Sequence, residues 1–192
     1  MSLVELIAQA DERGLAASGL ACLDRCLPLL GGDDEILRPL WASLAEGERW
    51  GEDWGERVEQ ARAKLDVPEV PEGDVPAEGE AAVLAHRMLG AVPVERTAAN
   101  LREWADACSV AALQIHRLLD AATDGASSVT ARREGRTQDM SPLVAAELRR
   151  QIAILELLST HGPAGLRQAL DLSTEGRRVL RAVVSRRARG RV

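Results

Sequence analysis

Residues 94–122 read VERTAANLREWADACSVAALQIHRLLDAA, and their apolar positions fall at Val94, Ala98, Leu101, Ala105, Cys108, Ala112, Ile115, Leu119 and Ala122. Steps of four and three alternate without a break. That is the a/d seam of a coiled coil or an antiparallel bundle, because residues three and four apart lie on one side of an α-helix. About 30 residues at 1.5 Å rise make a rod of roughly 45 Å. Alanine fills about half the seam, so whatever packs on it must approach closely, and the rod needs other helices around it.

Working outward, the rest of the chain repeats the helical period. Ser2 and Glu5 have the spacing of a capping box ahead of Leu3, Leu6, Ile7 and Ala10. Leu20, Leu23, Leu27 and Leu30 extend a second stripe to Gly31 and Gly32. Asp33 and Asp34 suit the N-terminus of a third helix carrying Ile36, Leu37, Leu40, Trp41 and Leu44, with Pro39 limiting its first turn. A short helix is expected around 81–90. A further helix runs from Pro142 through Val144, Leu148, Ile152, Leu155 and Leu158 to a stop at His161, Gly162 and Pro163. Asp124 to Met140 is polar and without period, and reads as loop or disorder. Ala and Leu dominate over β-branched residues, Phe and Tyr are absent, and Trp occurs four times. The fold class that follows is all-α, a multi-helix bundle with one long heptad-patterned helix.

Val67 to Gly79 interleaves Pro68, Pro71 and Pro76 with acidic residues. It divides the expected organisation into an acidic N-terminal helical bundle (1–66), a Pro/acidic linker (67–80) and a C-terminal bundle with a basic last helix (81–192). The formal charge is −12 over residues 1–80 and +6 over residues 81–192, giving −6 in all. These unlike halves are either merely solvated, or docked on each other within a chain or across a dimer, or each steers a different partner.

Three tandem four-residue units stand out: Gly47-Glu48-Arg49-Trp50, Gly51-Glu52-Asp53-Trp54 and Gly55-Glu56-Arg57-Val58. On a helix this period puts Gly47, Gly51 and Gly55 along one ridge and Trp50 and Trp54 along the next. Glycine costs a helix interior about 1 kcal/mol relative to alanine, so such a ridge implies a surface built for close approach. Trp is favoured at interface centres, which makes these five residues the expected partner-binding face.

Arg177, Arg178, Arg181, Arg186 and Arg187 coat a last helix expected to begin after Ser173 or Thr174. A short helix containing Ala169-Leu170-Asp171-Leu172 would precede it, after the Gly-Pro turn. Helix, turn, short helix and arginine-rich helix over residues 143–190 resemble a helix-turn-helix DNA-binding unit, with departures at Arg167, Asp171 and Gly176. The resemblance implies arginine contacts to phosphates and guanine edges.

Reaction chemistry finds little foothold. No GxSxG, GxGxxG or GxxxxGK[ST] pattern occurs, so neither a nucleophile elbow nor a phosphate loop is expected. Cys22 and Cys26 are one helical turn apart, but zinc wants four ligands, and His86, His116 and His161 are scattered, each reading as a helix-surface or C-terminal residue that complements the dipole. We therefore expect no catalytic residues, no metal and no cofactor. The odd cysteine count points to a reducing cytoplasm, no apolar span suits a membrane, and arginine replaces lysine everywhere but Lys64, as in a high-GC bacterium. The expected role is a non-enzymatic regulator or adaptor acting through a protein partner, on a machine of cell division, chromosome segregation or transcription. A homodimer is one form of that partnership, and a DNA-binding regulator built on 143–190 is the alternative.

Overall fold

The structure, a computed structural model, describes residues 1–65 and 75–190. It is all-helical, with nine α-helices among the described residues. The first helix, α1 (Leu3–Gln9), begins on the expected capping box, Ser2 accepting from the Glu5 amide while the Glu5 carboxylate takes the Ser2 amide. Asp11 caps α2 (Glu12–Arg25) by accepting from the Gly14 amide at 2.7 Å.

This second helix, rather than the heptad rod, is the centre of the molecule. Every residue from Gly14 to Arg25 is buried. A helix buried all round needs apolar or small residues on every face, and Gly14, Ala16, Ala17, Ser18, Gly19 and Ala21 supply them between the leucines. Around it pack α6 (Ala98–Leu119), α8 (Pro142–His161) and α9 (Leu166–Arg189), while α5 (Ala77–Gly90) covers α6 from outside. Gly19 shows how close the contact is. A Cβ placed on it would stand 2.5 Å from the Trp104 ring of α6. Gly19→Ala should therefore lower stability by about 1–3 kcal/mol through overpacking a rigid indole, although alanine is the better helix former by about 1 kcal/mol. Thermal denaturation of the variant checks the sign.

The expected rod is shorter than its pattern. Thr97 caps α6, whose 22 residues span about 33 Å, and Val94 lies outside it and exposed. Leu101, Ala105, Cys108, Ala112, Ile115 and Leu119 are buried as the seam requires, but Trp104, Ser109, Leu113 and His116 are buried too. The seam meets several helices instead of one coiled-coil partner.

Three further expectations are corrected. First, Asp34 does not cap the third helix: α3 (Arg38–Leu44) starts at Arg38 with Pro39, a residue suited to the first turn, just behind it, and residues 34–37 form turns. Second, 124–140 is ordered around α7 (Val129–Arg133), because the buried Arg132 guanidinium donates to the carbonyls of Arg136, Gln138 and Asp139 and faces Asp124. Third, no break occurs at Ser173 or Thr174. Gly162, at φ +52°, ends α8, a 3-10 turn over Gly162–Gly165 follows, and α9 then runs 24 residues through Ser173 and Gly176.

One hydrophobic core joins Leu3 to Leu180 across the expected domain boundary, so the described residues do not separate into two bundles. Residues 67–74 of the expected linker lie outside the described residues, and residues 77–80 form the first turn of α5.

Candidate protein-binding surface

The Gly/Trp repeat does not form one helix. Gly47 and Gly51 have φ of +51° and +72°, a left-handed conformation that only glycine adopts freely, and α4 (Trp54–Ala63) begins after them. The glycines thus serve turns, and the ridge of Gly47, Gly51 and Gly55 does not exist. Gly55 alone is helical, and its open side faces Val94, whose Cγ1 lies 2.8 Å from the position a Cβ would take.

Those turns send the two tryptophans to different places. Trp54 is fully buried, its Nε1 donating to the Pro93 carbonyl at 2.8 Å and its ring meeting Trp104 edge-on with centroids 6.5 Å apart. It belongs to the core and presents nothing to a partner. Trp50 remains half-buried between two guanidinium groups, Arg13 at 5.6 Å and Arg96 at 5.0 Å from its ring centre. Arg13 also donates to the Gly47 carbonyl, tying the turn to the first turn of α2.

Beside Trp50 lies a cleft of about 330 Å³ bounded by Asp11, Glu12, Arg13, Leu158 and the Gly162-Pro163 turn. A second cleft of about 270 Å³ shares Asp11, Gly14, Leu158 and Gly162 with it and continues past Leu6 and Leu155 to Met1. The stop signal at the end of α8 and the cap of α2 therefore face each other across one groove. Its lining is mixed, with Leu6, Leu155 and Leu158 beside Gln9, Asp11 and Ser159. Asp11 and Glu12 are exposed on its rim, and Glu12 has no ion-pair partner among the described residues.

Three arginines of the last helix are engaged by carboxylates of the same chain. Arg177, buried, pairs with Asp24 at 2.7 Å. Arg181 donates to Asp34 at 2.9 Å, and Arg187 meets Glu78 at 2.5 Å. Arg178 and Arg186 stay exposed. The opposite charges of the two halves thus dock within the chain. Ser173, expected as a cap, instead donates to Asp24 at 2.7 Å, and Gly176 makes room for Arg25, whose Cδ lies 2.4 Å from where a Cβ would stand.

Arg25 leads to a polar cluster that the sequence reading missed. Its guanidinium makes a two-pronged contact with Glu147 of α8, Nε to Oε2 at 2.8 Å and Nη2 to Oε1 at 2.6 Å, with both side chains wholly buried. Gln151 donates to Glu147 at 2.8 Å and accepts from Ser109 at 2.6 Å, and Arg133 donates to Ser109 at 3.0 Å while pairing with Asp106 near the surface. Burial pushes the Glu147 carboxyl up, but Arg25 and His116 overcome this and hold it at about 2. His116, read from sequence as a helix-surface or C-terminal residue, stands in the last turn of α6 but is buried, with Nδ1 2.6 Å from the Ala112 carbonyl and Nε2 3.5 Å from Glu147. Burial lowers its pKa. The signal for this cluster lay in a charge at Glu147 and an amide at Gln151 on the same helical period as Val144, Leu148 and Leu155.

All three thiols are buried among these residues, and burial raises each, Cys22 to about 12. A thiol so held is a poor nucleophile at neutral pH. The cluster clamps four helices together, and its polar groups bond to one another except for Arg25 Nη1, which is buried without a hydrogen-bond partner. No helix among the described residues is long and apolar enough to cross a membrane. No protein-family model, curated protein or solved structure matches this chain.

Proposed function

We propose that this protein is a non-enzymatic adaptor that grips a segment of another protein in the groove between Trp50 and Met1. The observation that carries the reading is the groove itself: a mixed lining in which Leu6, Leu155 and Leu158 supply the apolar part, an aromatic ring held by two arginines, and an acidic rim at Asp11 and Glu12. Clefts of this size take one or two side chains of a peptide, and Trp held in a fixed orientation gives contact area at small entropic cost. The chemistry it fits is an apolar anchor followed by a basic residue that reaches Glu12. DNA binding has less support, since Arg177, Arg181 and Arg187 are engaged by carboxylates of the same chain. The machine on which such an adaptor works, a bacterial cytoplasmic one in our reading, remains part of the proposal.

Selection of a displayed random-peptide library on the full chain tests this. Enriched peptides should pair an apolar residue with Arg or Lys, and should lose at least tenfold in affinity to Glu12→Arg, a surface change that leaves the core untouched. Peptides without that pattern, or binding Glu12→Arg and Leu158→Glu as tightly as the parent, would overturn it.

A further inference from the structure

A different face is left unpartnered on the far side of α6. Helices α5 and α6 run antiparallel, joined where the Trp104 indole donates to the Met88 carbonyl at 3.1 Å, and a groove of about 380 Å³ lies between them. Leu84, Met88 and Ala91 line it from α5, and Trp104, Ala107 and Ala111 from α6. Ala107 is exposed, while Leu84 and Ala111 are half-buried. No other described element covers this groove, and an apolar strip on a helix surface is ordinarily placed against something.

The charges beside the strip say what covers it. Glu80, Leu84 and Arg87 follow one another at steps of four and three, so they share one side of α5. Glu80 and Arg87 are both exposed, and neither has an ion-pair partner among the described residues. An acid and a base seven residues apart, with a leucine between them, form a pattern that is complementary to its own reverse. Two copies of α5 laid antiparallel about a point between Val83 and Leu84 bring Glu80 of each against Arg87 of the other, the relation a two-fold axis imposes. On α6, Ala107 and Ala111 let the second copy approach closely.

We infer that the α5–α6 face is a self-complementary interface for a second copy of this chain, with two symmetric Glu80–Arg87 pairs flanking a Leu84 contact. A face two helices wide and about 20 Å long covers roughly 400 Å² in projection, so the dimer belongs with small, readily dissociating interfaces. It lies apart from the Trp50 groove and leaves that groove free.

Analytical ultracentrifugation of the full chain from micromolar to near-millimolar concentration tests the inference, with circular dichroism as the check on folding. The parent should show a reversible monomer–dimer equilibrium. Glu80→Arg and Arg87→Glu should each weaken it at least tenfold by setting like charges opposite, while the double variant, with the pattern reversed but still self-complementary, should return to within threefold of the parent. A chain monomeric over the whole range overturns the inference. So does a dimer indifferent to either single reversal, or a double variant as weak as the singles.

Discussion

Glu147→Gln should lower the free energy of unfolding by about 3–5 kcal/mol, because it leaves the wholly buried Arg25 guanidinium without its counter-charge at nearly constant volume. Chemical denaturation at neutral pH reads this directly. The Arg25→Met/Glu147→Leu pair should recover much of the loss, since what costs energy is the unpaired charge rather than the absence of the ion pair. The same residue sets the acid limb. A carboxyl held at about 2 in the fold and near its ordinary 4.5 when unfolded stabilises the fold above 4.5, and that stabilisation disappears as the pH falls from 4.5 toward 2. His116 acts earlier and in the same direction. Its folded pKa lies below the ordinary 6.5, so the unfolded chain takes up the proton first and stability declines once the pH drops beneath 6.5. In Glu147→Gln the loss between 4.5 and 2 should shrink, whereas the loss beginning at 6.5 should persist.

Trp54→Ala should cost about 3–5 kcal/mol, the range for removing a large buried aromatic, and also strands the Pro93 carbonyl that its indole satisfies. Trp50→Ala should cost only about 1–2 kcal/mol, the worth of two partly exposed cation–π contacts. Its larger effect should fall on peptide binding. Thermal melts of the two variants side by side give the contrast, and equal losses would mean that Trp50 is core as well. Although the two tryptophans sit at equivalent places in the repeat, their fates differ because Gly47 and Gly51 take left-handed backbone angles and turn the chain between them.

That divergence shows where a one-dimensional reading stops. Elements whose ends are fixed by local chemistry were legible: the Ser2–Glu5 capping box and the Gly162-Pro163 stop rest on contacts within one or two turns, and the periodic spacing marked the buried side of α6 but not its ends. Elements decided by long-range partners were not. Ser173 carries a cap-forming side chain and Gly176 a helix-weakening one, yet α9 continues through both, because Asp24 and Arg25, some 150 positions away, take the hydroxyl and fill the space. The same holds for Arg132, which orders a loop that has no periodic pattern. As for the candidate site, Trp50 was singled out, but the groove beside it was invisible, since Asp11, Leu158 and Gly162 meet only once α1, α2 and α8 are packed. The charge asymmetry was visible and its destination was not: Asp24, Asp34 and Glu78 lie far in sequence from the arginines they neutralise.

The central claim is that this chain binds a protein segment at the Trp50 groove while its buried clamp stays closed. The four indole N–H resonances in a ¹H–¹⁵N spectrum of the full chain test it on titration with a groove-selected peptide. Trp50 should shift progressively, while Trp54 and Trp104, bonded to Pro93 and Met88, hold their positions. A Trp50 signal that does not move at saturation, or core indoles that move with it, would contradict the account.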